Sequence, residues 1–168
     1  MMGACVVAAL SRERRPERLW PFLVLGGFLG VFPDLDYLLT VYRWMGRDWH
    51  HGVTHSILFA FVVGGLAAWF ARMRGLRGWL TFSLATLSHP LLDYVYTESR
   101  GVELFWPFSR GRHRLGVMPP LGYDWRRETL LEMANDIVTL CAFELAVGAS
   151  LMMLILMARE AFSSDPRS

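Results

Sequence analysis

Three histidines and three aspartates stand in an otherwise apolar chain in a pattern that suits a metal. Asp34 and Asp36 lie in Phe-Pro-Asp-Leu-Asp, His50 and His55 in His-His-Gly-Val-Thr-His-Ser, and His89 and Asp93 in Ser-His-Pro-Leu-Leu-Asp. Imidazole mixed with carboxylate is the ligand set of catalytic transition metals, and it suits Zn, Mn or Fe better than Ca or Mg. Ionisable groups near hydrocarbon are costly, so such a cluster points to function. One catalytic zinc usually takes three protein ligands and a water. Six ligands therefore lead us to expect one or two ions, Zn foremost, and a pair about 3.5–4 Å apart is the arrangement of phosphoesterases.

Spacing ranks these residues. His89 and Asp93 are i, i+4 and share one helix face. Asp34 and Asp36 sit about 200° apart on an ideal helix. They can share an ion only where the helix is broken or begins, and Pro33 predicts such a break. His50 and His55 are five apart, a poor match to one face. His50 is therefore expected in a loop, with Thr54 or Ser56 capping the helix that carries His55 and Gly52 permitting the turn between them. Taken singly, each signal is weak. A lone intramembrane His is more often a packing residue than a ligand, and Pro-Asp before an apolar run is often only a helix start. His51 is expected to point away from the site. His113, in Arg-Gly-Arg-His-Arg, reads as part of a solvated basic loop. Glu144 either pairs across the bundle or marks a deeper cavity.

The elements that carry these residues are apolar runs. The chain is 54% hydrophobic. Runs at 19–42, 53–71, 79–97 and 134–158 approach the roughly 20 residues of a membrane span. Runs facing lipid must be helical, because only a helix satisfies its own backbone hydrogen bonds. Residues 1–10 are apolar but too short to span and read as a truncated first helix; no basic segment precedes them, so a cleaved signal peptide is not expected. The predicted fold is all-α: one domain over 1–168, a polytopic membrane helical bundle with about four spans plus the truncated N-terminal helix. Residues 98–133 form a polar interfacial segment, 159–168 a flexible tail, and 37–45 are expected at the interface. Trp20, Trp44, Trp49, Trp79, Trp106 and Trp125 fall near run ends, as in an interfacial belt. Cys5 and Cys141 lie inside apolar runs and suggest neither a disulfide nor a zinc knuckle. The cationic side chains are all Arg, and a net charge of +2 gives no reason to expect nucleic acid.

Alternation of antiparallel spans puts the loops at 11–18 and 72–78 on one side and those at 43–52 and 98–133 on the other. All six ligands head to that second side. Asn135 and Asp136 open the last run there, one turn from Glu132. Asp36 or Asp136 is the expected general base, and Thr54, Ser56, Ser88, Glu132 and Asn135 are expected to support the ligands. Arg100, Arg110, Arg112 and Arg114 offer a phosphate clamp, although a basic loop resting on lipid headgroups is the plainer reading for most of them. Loops 11–18 and 72–78 carry four and three Arg. Short basic loops stay inside, so the site is expected on the outer face.

Together these motifs resemble the YdjM-type family of inner-membrane, metal-dependent hydrolases. The matching residues are Pro33-Asp34-Leu35-Asp36, His50-x-Gly52-x-Thr54-His55-Ser56, Ser88-His89 with Leu92-Asp93, and Gly101-Val102 followed by Leu104-Phe105-Trp106-Pro107-Phe108-Ser109. The likeness covers roughly residues 20–110. It implies a membrane-embedded helical domain with divalent-metal hydrolase activity. Two departures stand out. The family's first helix usually opens with a Thr-His pair, where this chain has Met-Met-Gly-Ala-Cys-Val-Val. An Arg usually follows the first His of the second motif, where this chain has His51. A site under a loop rich in Phe105, Trp106 and Phe108 suggests an ester or phosphoester of an amphiphilic, lipid-like substrate, with membrane lipids as partners. The alternatives are a non-catalytic, metal-stabilised membrane protein that binds partners and, last, an ion or metal transporter, for which only Glu144 lies deep in a run.

Overall fold

The computed structural model describes residues 1–13, 15–36, 50–73, 75–95, 101–117 and 130–163; at 130–137, 139–141, 143–144 and 162–163 the description is of backbone alone. Five α-helices follow in order: α1 (Met2–Leu10), α2 (Pro16–Leu29), α3 (Ile57–Phe70), α4 (Leu76–Val95) and α5 (Leu130–Ser163). Short 3-10 turns lie at Phe32–Leu35 and Val53–His55. Extended pairing among the described residues is a single antiparallel bridge, Val102 to His113. The all-α class is therefore as expected. Among the described residues, no helix is long and apolar enough to cross a membrane.

Local chemistry explains where the helices depart from the apolar runs. Pro16 opens α2 where a missing N–H is harmless. The run at 19–42 is not one helix: α2 stops at Leu29, and Phe-Pro-Asp-Leu restarts the chain as a 3-10 turn. The break expected at Pro33 is present. The stretch 37–45, with Trp44, and also Trp49 lie outside the described residues. The run at 53–71 loses its first turn, because Ser56 is the cap and accepts from Phe59 N at 3.1 Å. His55 thus sits just before α3 rather than on it. The last helix starts at Leu130 and continues to Ser163, so 159–163 are helical where a flexible tail was expected. Arg159 reaches from α5 to the carbonyls of Ala8 and Glu13.

α4 is the hub and packs against α1, α2 and α3. The segment read as a truncated stub is a core element: Cys5, Val7 and Ala8 of α1 are buried, and Val7 joins Leu29, Phe82 and Ala85 in the core. Helices meet through small residues. A Cβ on Gly64 would lie 2.3 Å from Ser83 N, and one on Gly3 would lie 2.1 Å from Gly26 O. Thr81, Ser83 and Thr86 are buried on α4, and the Thr86 hydroxyl donates to Phe82 O at 2.9 Å. The large apolar side chains point out instead: Trp20, Val24 and Phe28 on α2, and Leu58, Val62, Leu66 and Trp69 on α3. Small inside and large outside is the arrangement of helices that pack by close backbone approach.

Candidate metal centre

Four chain segments converge at the end of α2, the start of α3 and the end of α4. The 3-10 turn after α2 brings Asp34 and Asp36. The loop before α3 brings His50 and His51, the next 3-10 turn brings Thr54 and His55, and the last turns of α4 bring His89 and Asp93. A 3-10 turn advances about three residues per turn. It therefore aims Asp34 and Asp36 at different neighbours, which a regular helix would also separate.

Asp34, His55, His89 and Asp93 form one group of donor atoms, and Asp34, Asp36 and His50 a second, each within 4.8 Å. Asp34 belongs to both. In the first group, His89 Nε2 lies 3.0 Å from Asp34 Oδ1 and 3.3 Å from Asp93 Oδ2. His55 Nε2 lies 3.5 Å and 3.2 Å from the same two oxygens. A tetrahedral ion with ligand bonds near 2.0–2.1 Å sets its donors about 3.3–3.4 Å apart. The four separations bracket that edge length.

Hydrogen bonding around the group tests whether an ion fits. His55 is fully buried, with a side-chain exposure of 0%. The Thr54 hydroxyl donates to Asp36 Oδ2 at 2.5 Å. Its oxygen is then free to accept from His55 Nδ1 at 3.0 Å. In the neutral tautomer with the proton on Nδ1, His55 Nε2 would offer its lone pair to an ion. Neither His55 Nε2 nor His89 Nε2 makes a hydrogen bond of acceptable geometry, although both are buried. Two imidazole nitrogens and two carboxylate oxygens thus face a common point, 3.0–3.5 Å apart, and a divalent cation there would take all four as ligands. His50 repeats the logic: Nδ1 is 2.7 Å from Asp36 Oδ1, which orients Nε2 as the remaining donor.

The supporting residues expected from the sequence divide. Thr54 links Asp36 to His55. Ser56 caps α3 and donates to Val53 O at 2.8 Å. Ser88 donates to Ala85 O of its own helix at 2.7 Å rather than to a ligand. Arg112 lies 3.5 Å from Glu103 and donates to His50 O at 3.3 Å, so it braces the loop. Arg110 and Arg114 are exposed. Arg100 and Trp125 lie outside the described residues, as do the side chains of Glu132, Asn135, Asp136, Cys141 and Glu144. His113 stacks edge-on with Phe105 at 5.2 Å.

His51 does not point away. Its ring lies 4.0 Å from that of His50 and 4.9 Å from that of His55, and its Nε2 is 4.0 Å from Asp93 Oδ2. Burial lowers its pKa to about 4, with His50 acting in the same sense and Asp93 opposing. The turn bends at His51 itself, with φ 64, while Gly52 has φ −91. A non-glycine residue in the left-handed region is uncommon, although His is among the more tolerant types. Side-chain spacing gave no sign of it, because a positive φ reverses where the side chain leaves the backbone. Glu103 N donates to His51 O at 2.9 Å and Ile57 N to Leu104 O at 3.0 Å. These links close the 101–117 segment over the loop.

A model of the YdjM inner membrane protein family matches residues 1–162. The inner membrane protein YbcI of Escherichia coli (strain K12) is 37% identical over 115 residues, 64% of this chain and 64% of that protein. The matched stretch is thus just under two thirds of that relative's length. No solved structure matches the chain.

Proposed function

The chain belongs to the YdjM inner membrane protein family, and we propose that this inner-membrane protein is a divalent-metal-dependent hydrolase of an ester or phosphoester in an amphiphilic, lipid-like substrate. One observation carries the reading: His55 Nε2 and His89 Nε2 converge on the oxygens of Asp34 and Asp93 at 3.0–3.5 Å, the spacing of donors around a four-coordinate ion. Asp34, His55, His89 and Asp93 would hold one ion, Zn foremost with Mn or Fe as alternatives. His50 and Asp36, with Asp34, would hold a second ion. A bound divalent cation supplies a Lewis acid for a phosphoryl or carbonyl oxygen and eases deprotonation of water.

The residues themselves divide the work. Thr54 and Asp36 fix the ring orientations of His55 and His50. Asp34, with 41% of its side chain exposed, leaves the centre open to a substrate, which favours catalysis over a closed structural site. Asp36 or Asp136 takes the proton of the attacking water. Arg110, which is exposed, would bind a phosphate, while Arg112 acts through the loop it braces. We further propose that the bundle crosses the membrane with about four spans and the site on the outer face. The outward large apolar side chains and the inward small ones support this, as do the Arg-rich loops at the opposite end.

Elemental analysis tests the reading. The purified chain should carry stoichiometric metal, and His89→Ala should lose most of it while keeping its helical circular dichroism. Turnover of a phospholipid panel should fall with the metal and return on adding it back. Full turnover by a metal-free preparation sinks the hydrolase reading. Metal without turnover, together with melting on chelation, supports the alternative of a metal-stabilised, non-catalytic protein.

A further inference from the structure

Two groups of exposed aromatics mark opposite ends of the bundle. Away from the metal centre lie Trp20 near the start of α2, Trp69 and Phe70 at the end of α3, and Trp79 in the first turn of α4. At the metal-centre end lie Phe105 and Phe108, the latter 90% exposed. α4 joins the two groups. Its 20 residues span about 30 Å, which is about the thickness of the hydrocarbon core of a bilayer.

The Phe105–Phe108 turn is firmly held. Phe108 N and Ser109 N both donate to Phe105 O, at 2.9 and 3.1 Å. Val102 and His113 exchange two backbone bonds of 3.0 Å, and Leu115 N donates to Tyr94 O at 2.7 Å. Glu103, the segment's one acidic residue, faces Arg112 at 3.5 Å, while Arg110 and Arg114 are exposed beside the aromatics. Phe108 is four residues past Leu104, whose carbonyl holds the start of α3, so it lies within about 14 Å of that start. Aromatics flanked by cations, at one bilayer thickness from a tryptophan group, match an anionic lipid interface.

We propose that the 104–108 turn is an interfacial wedge. Phe105 and Phe108 enter the acyl boundary of the leaflet nearest the metal centre, Arg110 and Arg114 rest on lipid phosphates, and the centre behind the turn meets headgroups of that same leaflet. Insertion itself needs no catalysis. The last clause rests on the hydrolase reading.

The test places an environment-sensitive nitrobenzoxadiazole label on Phe108→Cys, in a chain carrying Cys5→Ala and Cys141→Ala. The chain is reconstituted in phosphatidylethanolamine–phosphatidylglycerol nanodiscs. The expected result is blue-shifted emission, quenched by a phospholipid spin-labelled high on its acyl chain and little by one labelled at the methyl end. Water-like emission quenched only by iodide overturns the wedge. Self-quenching that rises with copies per disc assigns the turn to a second copy and also overturns it. Hydroxyl-radical footprinting of the unaltered chain gives a second reading. Phe108 should be protected in nanodiscs, and full labelling overturns the proposal. In the catalytic arm, Phe108→Ser should lower turnover of nanodisc lipid roughly tenfold and spare a water-soluble phosphodiester. Equal turnover of the lipid by both chains overturns the wedge alone. Lipid quenching without any hydrolysis overturns the hydrolase reading alone.

Discussion

The seam between α3 and α4 and the metal-centre end of the same helices solve opposite problems. At the seam the backbones touch: Gly64 faces Ser83 with no room for a Cβ, and the helices are regular. At the centre the helices end. Two 3-10 turns and a left-handed His51 replace them, and side chains from four segments meet. Close packing needs side chains removed and regular geometry kept. A ligand set needs regular geometry broken, so that Asp34 and Asp36, about 200° apart on a regular helix, can both reach one donor group with His50.

Substitutions should separate the two regions, beginning with the largest effect. Gly64→Val puts new atoms onto Ser83 N, Cα and Oγ, all within 2.4 Å of a Cβ. Because two backbones must part, it should destabilise the bundle by about 3 kcal/mol, read by thermal unfolding in detergent, and metal should be lost only as the fold is lost. A variant with wild-type stability would show that the seam is loose. Thr54→Val keeps the shape of the side chain and removes the link between Asp36 and His55. It should weaken metal affinity about 10–100-fold, measured by competition with a chromogenic chelator, and leave metal-free stability nearly unchanged. An unaltered affinity would mean that His55 is oriented by packing alone. Ser56→Ala removes the α3 cap and should cost about 1 kcal/mol with little change in metal affinity, since Ser56 touches the helix and not a ligand.

The centre was more legible in the sequence than the helices that present it. The i, i+4 spacing of His89 and Asp93 holds because α4 is regular there. The choice of a broken helix for Asp34 and Asp36 follows from Pro33, a purely local constraint. Helix bounds were harder to read. The run at 53–71 opens Val-Thr-His-Ser, so two hydroxyls stand where a cap is needed, and hydropathy could not show that Ser56 rather than Thr54 would cap α3. Which hydroxyl caps depends on where Asp36 already holds Thr54. The segment 1–10 looked too short to span a membrane and read as the stub of a helix. It is core because α2, α4 and α5 pack around it.

Residue type and local spacing by themselves determined an all-helical protein with imidazole and carboxylate groups gathered at one end. These follow from hydrophobicity, from proline geometry and from helical periodicity, which act over a few residues. Only the tertiary structure decided that Asp34 belongs to both donor groups, that His51 turns inward, and that Arg112 braces the loop rather than standing free. Each of these depends on atoms brought together from segments far apart in the chain. Their relative placement is set by backbone contact at Gly3, Gly26 and Gly64, and no local pattern encodes it.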